Sequence, residues 1–88
     1  MEVNITEASM THSKEDGYLG RVVFGVTGQQ SAYELTLQSK NARDWSYSLS
    51  FTASSGKEED IYVVESRLEE DDELFDALVD AAMQNLQS

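Results

Sequence analysis

From Trp45 to Ala53 the chain alternates without an error. Trp45, Tyr47, Leu49, Phe51 and Ala53 occupy one parity, and Ser46, Ser48, Ser50 and Thr52 the other. Side chains of an extended strand point alternately to its two faces, so this period of two specifies a strand with one apolar and one wet side. A slip of one residue would put four large apolar groups into water, which pins the register. A strand so marked is expected to sit at the centre of its sheet.

The segments before it repeat the pattern. Val3 and Ile5 alternate with Glu2, Asn4 and Thr6, and Ala8 and Met10 continue in the opposite parity. A bulge near Thr6–Glu7, or the end of the strand there, accounts for the change. Asp16-Gly17 supplies the left-handed geometry of a tight hairpin turn. Val22, Phe24 and Val26 line one face of a second strand, expected over Tyr18–Thr27, and Gly25 on the other face leaves room for a close neighbour. After a turn at Gly28–Ser31, a third strand carries Tyr33, Leu35 and Leu37. In the next turn, Ser39–Arg43, Asn41 is the residue most tolerant of positive φ. Short links between successive strands imply an antiparallel meander. Beyond the polar link Ser54–Asp60, where Gly56 is the expected turn residue, Ile61-Tyr62-Val63-Val64 reads as a fifth strand. So short an apolar run also fits the start of the helix that follows.

That helix is expected over Leu68–Leu86. Phe75, Leu78, Val79, Ala82 and Leu86 step by three or four and stack on one side. Ser66 with Glu69 fits a capping box, and Asp71 or Asp72 a later start. About eighteen residues of helix span ~27 Å, the length of a strand of eight or nine residues. The expected fold is therefore a single α+β domain over residues 1–88. It is a four- or five-stranded antiparallel meander with one C-terminal amphipathic helix packed on the face carrying Phe24, Leu35, Leu49 and Phe51.

Composition narrows the function classes. Eighty-eight residues leave little volume for a deep catalytic cavity. Without cysteine there is neither a disulfide nor a thiolate zinc site, and a reducing compartment is favoured. Met1-Glu2-Val3-Asn4 lacks the basic and apolar regions of a signal peptide, and no apolar run approaches the ~18–20 residues of a membrane span. The expected location is cytoplasmic. The net charge is −11 and uneven. Residues 1–55 carry six acids against four bases, a net of −2, and residues 56–88 carry eleven acids against two bases, a net of −9. Such a surface repels nucleic acid and anionic membranes and attracts basic partners, besides keeping a small protein soluble.

The candidate site is the acidic side of the last helix: Glu69, Glu70, Asp72, Glu73, Asp76 and Asp80. Acids in a first helical turn favour the macrodipole by about 0.3–1 kcal/mol each, which accounts for the run up to Glu73. Asp76 and Asp80 lie beyond that turn. With Asp72 they form a row spaced by four, in which like charges cost about 0.2–0.5 kcal/mol per pair. No lysine or arginine follows Leu68 to relieve them. A self-repelling face is either simply solvated or suited to a basic protein partner. The expected function is thus a non-enzymatic acidic regulatory or adaptor protein. A DNA-mimic inhibitor, with carboxylates standing in for a line of phosphates, is the first alternative, and a small-ligand-binding domain the second.

Other chemistry is thinly represented. Glu58-Glu59-Asp60 and Glu69–Glu73 lack the alternate spacing and midpoint glycine of a calcium loop, so no metal or cofactor is expected. His12 is the only histidine, and no nucleophile elbow, phosphate loop or dinucleotide fingerprint is present, so no catalytic residue is assigned. Trp45 and Tyr47 suit core packing better than a base-stacking platform, because such platforms lie in basic grooves. The hydroxyl row Ser46, Ser48, Ser50 and Thr52, beside Thr36, Gln38, Val23 and Thr27, forms a nearly uncharged open face. It is compatible with a monomer or a homodimer.

Overall fold

Alternating sequences build the sheet in a computed structural model that describes residues 2–29, 32–52 and 57–87. The elements run β1 (Val3–Ser13), β2 (Gly17–Val26), β3 (Ala32–Ser39), β4 (Ser46–Phe51), α1 (Glu58–Glu70), α2 (Asp72–Met83) and β5 (Leu86–Gln87). Strands β1 to β4 form an antiparallel meander, and the spatial order is β4-β3-β2-β1-β5. The α+β class and the meander agree with the sequence expectation. Ala53, the turn residue Gly56 and the second half of the turn at 28–31 fall outside the described residues.

Parity determines the buried side. Val22, Phe24, Val26, Tyr33, Leu35 and Leu37 join Met10 in one core with Val64, Leu68, Leu78, Val79 and Ala82 of the helices. Leu49 and Phe51 pack against the same core, half-buried. Tyr33 connects the layers of aromatic packing, its ring centroid 5.7 Å from that of Phe24 and 5.6 Å from that of Phe51. The bulge lies where parity changes: the β1–β2 register shifts between Ile5 and Glu7. Gly17 has φ +74° at the first hairpin.

The single C-terminal helix is in fact two. Asp71 is extended (φ −108°, ψ 92°), and its backbone N–H donates to the Arg67 carbonyl at 2.8 Å. Its carboxylate accepts from the Leu74 N–H at 3.1 Å, so one residue ends α1 and caps α2. A cap of this kind is worth about 1 kcal/mol. Ser66 lies within α1 and starts nothing.

Residues 61–64 are helical rather than a fifth strand. Ile61, Val64 and Leu68 fall at i, i+3 and i+7, which brings Val64 and Leu68 into the core and turns Tyr62 and Val63 outward. Glu58, Glu59 and Asp60 occupy the first turn of α1, where the macrodipole favours them. The fifth strand is instead Leu86–Gln87, which leaves the helix and pairs parallel to Met10 and Thr11 of β1. Leu86 is therefore not part of the helix's apolar stripe and stays partly exposed.

Three smaller expectations also change. β4 is an edge strand, paired to β3 alone among the described residues, and Tyr47, Leu49 and Phe51 are only half-buried. The centre belongs to β2 and β3. Gly25 has open space where a Cβ would stand, and the close approaches within β2 occur at Gly17, against the Ser39 and Lys40 backbone, and at Gly20, against the Met10 side chain. In the β3–β4 turn the positive φ falls on Ala42 (61°), not on Asn41. Asn41 uses its side-chain oxygen to accept the N–H groups of Arg43 and Asp44, at 2.9 and 3.0 Å. Buried Ser39 accepts the Ala42 N–H at 2.9 Å.

Candidate functional site

The six acids are split between two helices. Glu69 and Glu70 close α1, Asp72 and Glu73 open α2, and Asp76 and Asp80 continue along it. All six are exposed. Apolar packing on the opposite side of each helix (Val64 and Leu68 in α1, Leu78, Val79 and Ala82 in α2) forces this outward aim. The break at Asp71 alters their energetics. Asp72 and Glu73 sit at a helix N-terminus, where the dipole favours anions, whereas Glu69 and Glu70 sit at a C-terminus, where it opposes them. Asp76 and Asp80 have no such compensation.

Relief from bases is slight. Among the described residues the ion pairs are Arg67–Asp71 at 3.6 Å, Arg21–Glu7 at 3.0 Å, and Arg21 with Glu34. None includes any of the six acids. Arg67 and Asp71, both partly exposed, form an i, i+4 pair of the kind worth a few tenths of a kcal/mol. The negative field reaches the sheet. Burial pushes the Tyr47 phenol above the ordinary 10.0, and Glu69 and Glu65 push it in the same direction. Burial does the same at Tyr33, with Asp60 adding to it, while the Tyr33 hydroxyl donates to Gln29 Oε1 at 2.5 Å.

These two phenols give an alkaline limit to stability. A group whose folded pKa lies above its unfolded value stabilises the fold fully below the unfolded pKa and loses that contribution as pH rises through the folded one. Urea midpoints should therefore hold steady up to about pH 10 and fall above it. Tyr33→Phe and Tyr47→Phe should each flatten that fall in a series of denaturation curves. An unchanged slope in both variants would remove these residues as its source.

The opposite sheet face carries the hydroxyl row. Ser46, Ser48, Ser50 and Thr52 are exposed, with Thr36 and Gln38 beside them on β3. Register places Glu34 opposite Val23 and Glu7 on its other side, so Arg21, two residues along β2, reaches both carboxylates. The sequence reading missed this cluster, although a charge-by-parity count along β1, β2 and β3 would have found it. Val23 is almost fully covered there, while Thr27 is exposed. His12 is exposed, its ring centroid 4.5 Å from that of Tyr18, which lies 6.2 Å from Trp45. Among the described residues no three His, Asp or Glu side chains converge as a metal shell would require. Among the described residues no helix is long and apolar enough to cross a membrane.

Protein-family models, curated proteins and solved structures, each searched with this chain, give no match.

Proposed function

We propose that this protein is a non-enzymatic adaptor or regulatory module that presents the acidic surface of its two helices to a basic protein partner. One observation carries the reading: Asp76 and Asp80 are exposed, beyond the favourable first turn, and unpaired with any base among the described residues. Repulsion along this row is retained rather than relieved, and a basic surface would convert it into attraction. The break at Asp71 favours this over mimicry of DNA. A line of phosphates needs a long regular row, and the α2 row ends after three carboxylates.

The test combines charge removal with competition. In pull-downs from lysate, Asp72→Asn/Asp76→Asn/Asp80→Asn should lose bound basic protein by about tenfold, and added salt should do likewise, since it shortens the Debye length from about 8 Å at physiological ionic strength to about 3 Å at 1 M and screens exposed charges more strongly. Duplex DNA should leave the bound protein in place; displacement by DNA would instead support a mimic. Asp72→Asn gives up a favourable dipole contact while the row loses its repulsion, two effects of similar size and opposite sign, so the thermal midpoint should change little and lost binding would not report lost folding. Capture that is indifferent to the three substitutions would overturn the proposal.

A further inference from the structure

Resting on the proposed docking role of the acidic helices, we infer that Tyr62 and Val63 are its apolar anchor, the seat of a large apolar side chain that the basic partner carries among its lysines or arginines. Ile61 to Val64 are four apolar residues in a row, but a helix turns each about 100° from the last, so they cannot all face the sheet. Ile61 and Val64 pack inward. Tyr62 is 61% exposed and Val63 55%, the two most exposed large apolar side chains among the described residues. The core does not use them, and neither residue type is among the strong helix formers that would serve an exposed position.

Isolated apolar residues are ordinary on a protein surface. The setting of this pair is not. With Ser66, Arg67 and Glu70 it lines a shallow depression on the outer side of α1. Arg67 and Glu70 also line a second depression with Asp71, Asp72 and Glu73, where α1 meets α2. The two depressions share that wall, so apolar and acidic ground form one continuous surface from Tyr62 to Glu73. Val63 and Glu70 are seven residues apart on α1, a rise of about 10 Å. The partner therefore needs its apolar side chain and a base about that far apart, within reach of one short segment.

Charge selects the partner. Within one turn of the pair, Glu58, Glu59, Asp60 and Glu65 are acids. Arg67 is the one base there, and its guanidinium lies 3.6 Å from the Asp71 carboxylate. A second copy of this chain would bring a net charge of −11 against that rim, and nucleic acid or an anionic membrane is opposed by the same sign. A base-ringed apolar side chain suits both parts of the surface: apolar contact at the centre, opposite charges around it. Tyrosine is also among the residues that most often dominate such contacts.

Two synthetic helical peptides of equal charge provide the test, one of leucine and lysine at amphipathic spacing, the other with glutamine replacing every leucine. In NMR titrations the leucine peptide should bind about tenfold more tightly and shift the amides of Tyr62, Val63 and Ser66. It should keep part of its affinity in 1 M salt, where the Debye length is about 3 Å, while the glutamine peptide is released. Tyr62→Gln/Val63→Gln touches exposed positions, so its circular dichroism should be unchanged. It should bind both peptides as weakly as wild type binds the glutamine peptide. Equal affinity for the two peptides, or a double variant that holds the leucine peptide as wild type does, would overturn the anchor and leave the acidic surface standing. If neither peptide binds, the docking role fails and the anchor with it. A mass approaching twice 9.8 kDa for the chain alone, lost in the double variant, would assign the pair to a second copy and overturn the inference. Should the double variant not fold, a leucine peptide that leaves the wild-type Tyr62, Val63 and Ser66 amides unmoved would overturn it.

Discussion

Phe24→Ala lowers the unfolding free energy by about 3–5 kcal/mol, the range for removing a fully buried aromatic ring. The ring is buried in β2, with Tyr33 packed on it and Ile5 opposite in the neighbouring strand. Because β2 is paired on both sides and covered by helix, the surroundings have little freedom to collapse into the space left behind. A domain of this length has a stability of about 4–13 kcal/mol, so the variant lies near the threshold of folding. Phe51→Ala supplies the comparison. Phe51 lies in the edge strand and is half-buried, so its loss should cost about half as much. Urea denaturation followed by circular dichroism measures both. Equal or larger damage at Phe51 would mean that β4 carries more of the core than its edge position implies.

Gly17→Ala should cost about 2–5 kcal/mol, from two sources. A left-handed φ of +74° penalises any side chain by about 1–2 kcal/mol. A Cβ there would also stand 2.5 Å from the Ser39 carbonyl oxygen and 3.0 Å from the Lys40 Cα, and overpacking of this kind costs about 1–3 kcal/mol. Backbone cannot move aside as a side-chain tip can. Ser39 is also held by its own turn, its hydroxyl accepting from Asn41 and Ala42. Two controls separate the sources. Gly28 has φ +91° and open space, so Gly28→Ala should show the conformational part alone. Gly25 has open space and no positive φ, so Gly25→Ala should be neutral or slightly stabilising, by about 0.4–1 kcal/mol. If Gly17→Ala and Gly28→Ala prove equally damaging, the contact with Ser39 contributes nothing.

Parity and helical spacing revealed more of this fold than run length did. The faces of β1, β2 and β3, the bulge at Thr6 and the cap at Asp71 all follow from local rules, because each depends on a side chain's nearest neighbours. Ile61–Val64 misled because four apolar residues in a row suit either a buried strand or one turn of a helix. Their continuation to Leu68, and the acids Glu58, Glu59 and Asp60 ahead of them, are helix signals that run length ignores. Clean alternation in β4 specified one wet face but not a place in the sheet. Val22-Val23-Phe24 in β2, apolar on both parities, was the better sign of a central strand. Asn41 did not take positive φ because its side chain was already committed to two backbone donors. At the candidate site, exposure of the acids was legible from the apolar stripe opposite them. Their division between two dipole ends depended on one extended residue, Asp71.

The short parallel pairing of Leu86 with Met10 has a consequence for the order of assembly. Each hairpin of the meander closes over a few residues, so neighbouring strands can zip together at small loop-closure cost. β5 must bring together segments from almost opposite ends of the chain, and two residues of ladder return little for it. Refolding should therefore begin among the hairpins and finish at this junction, which should also be the first to open again.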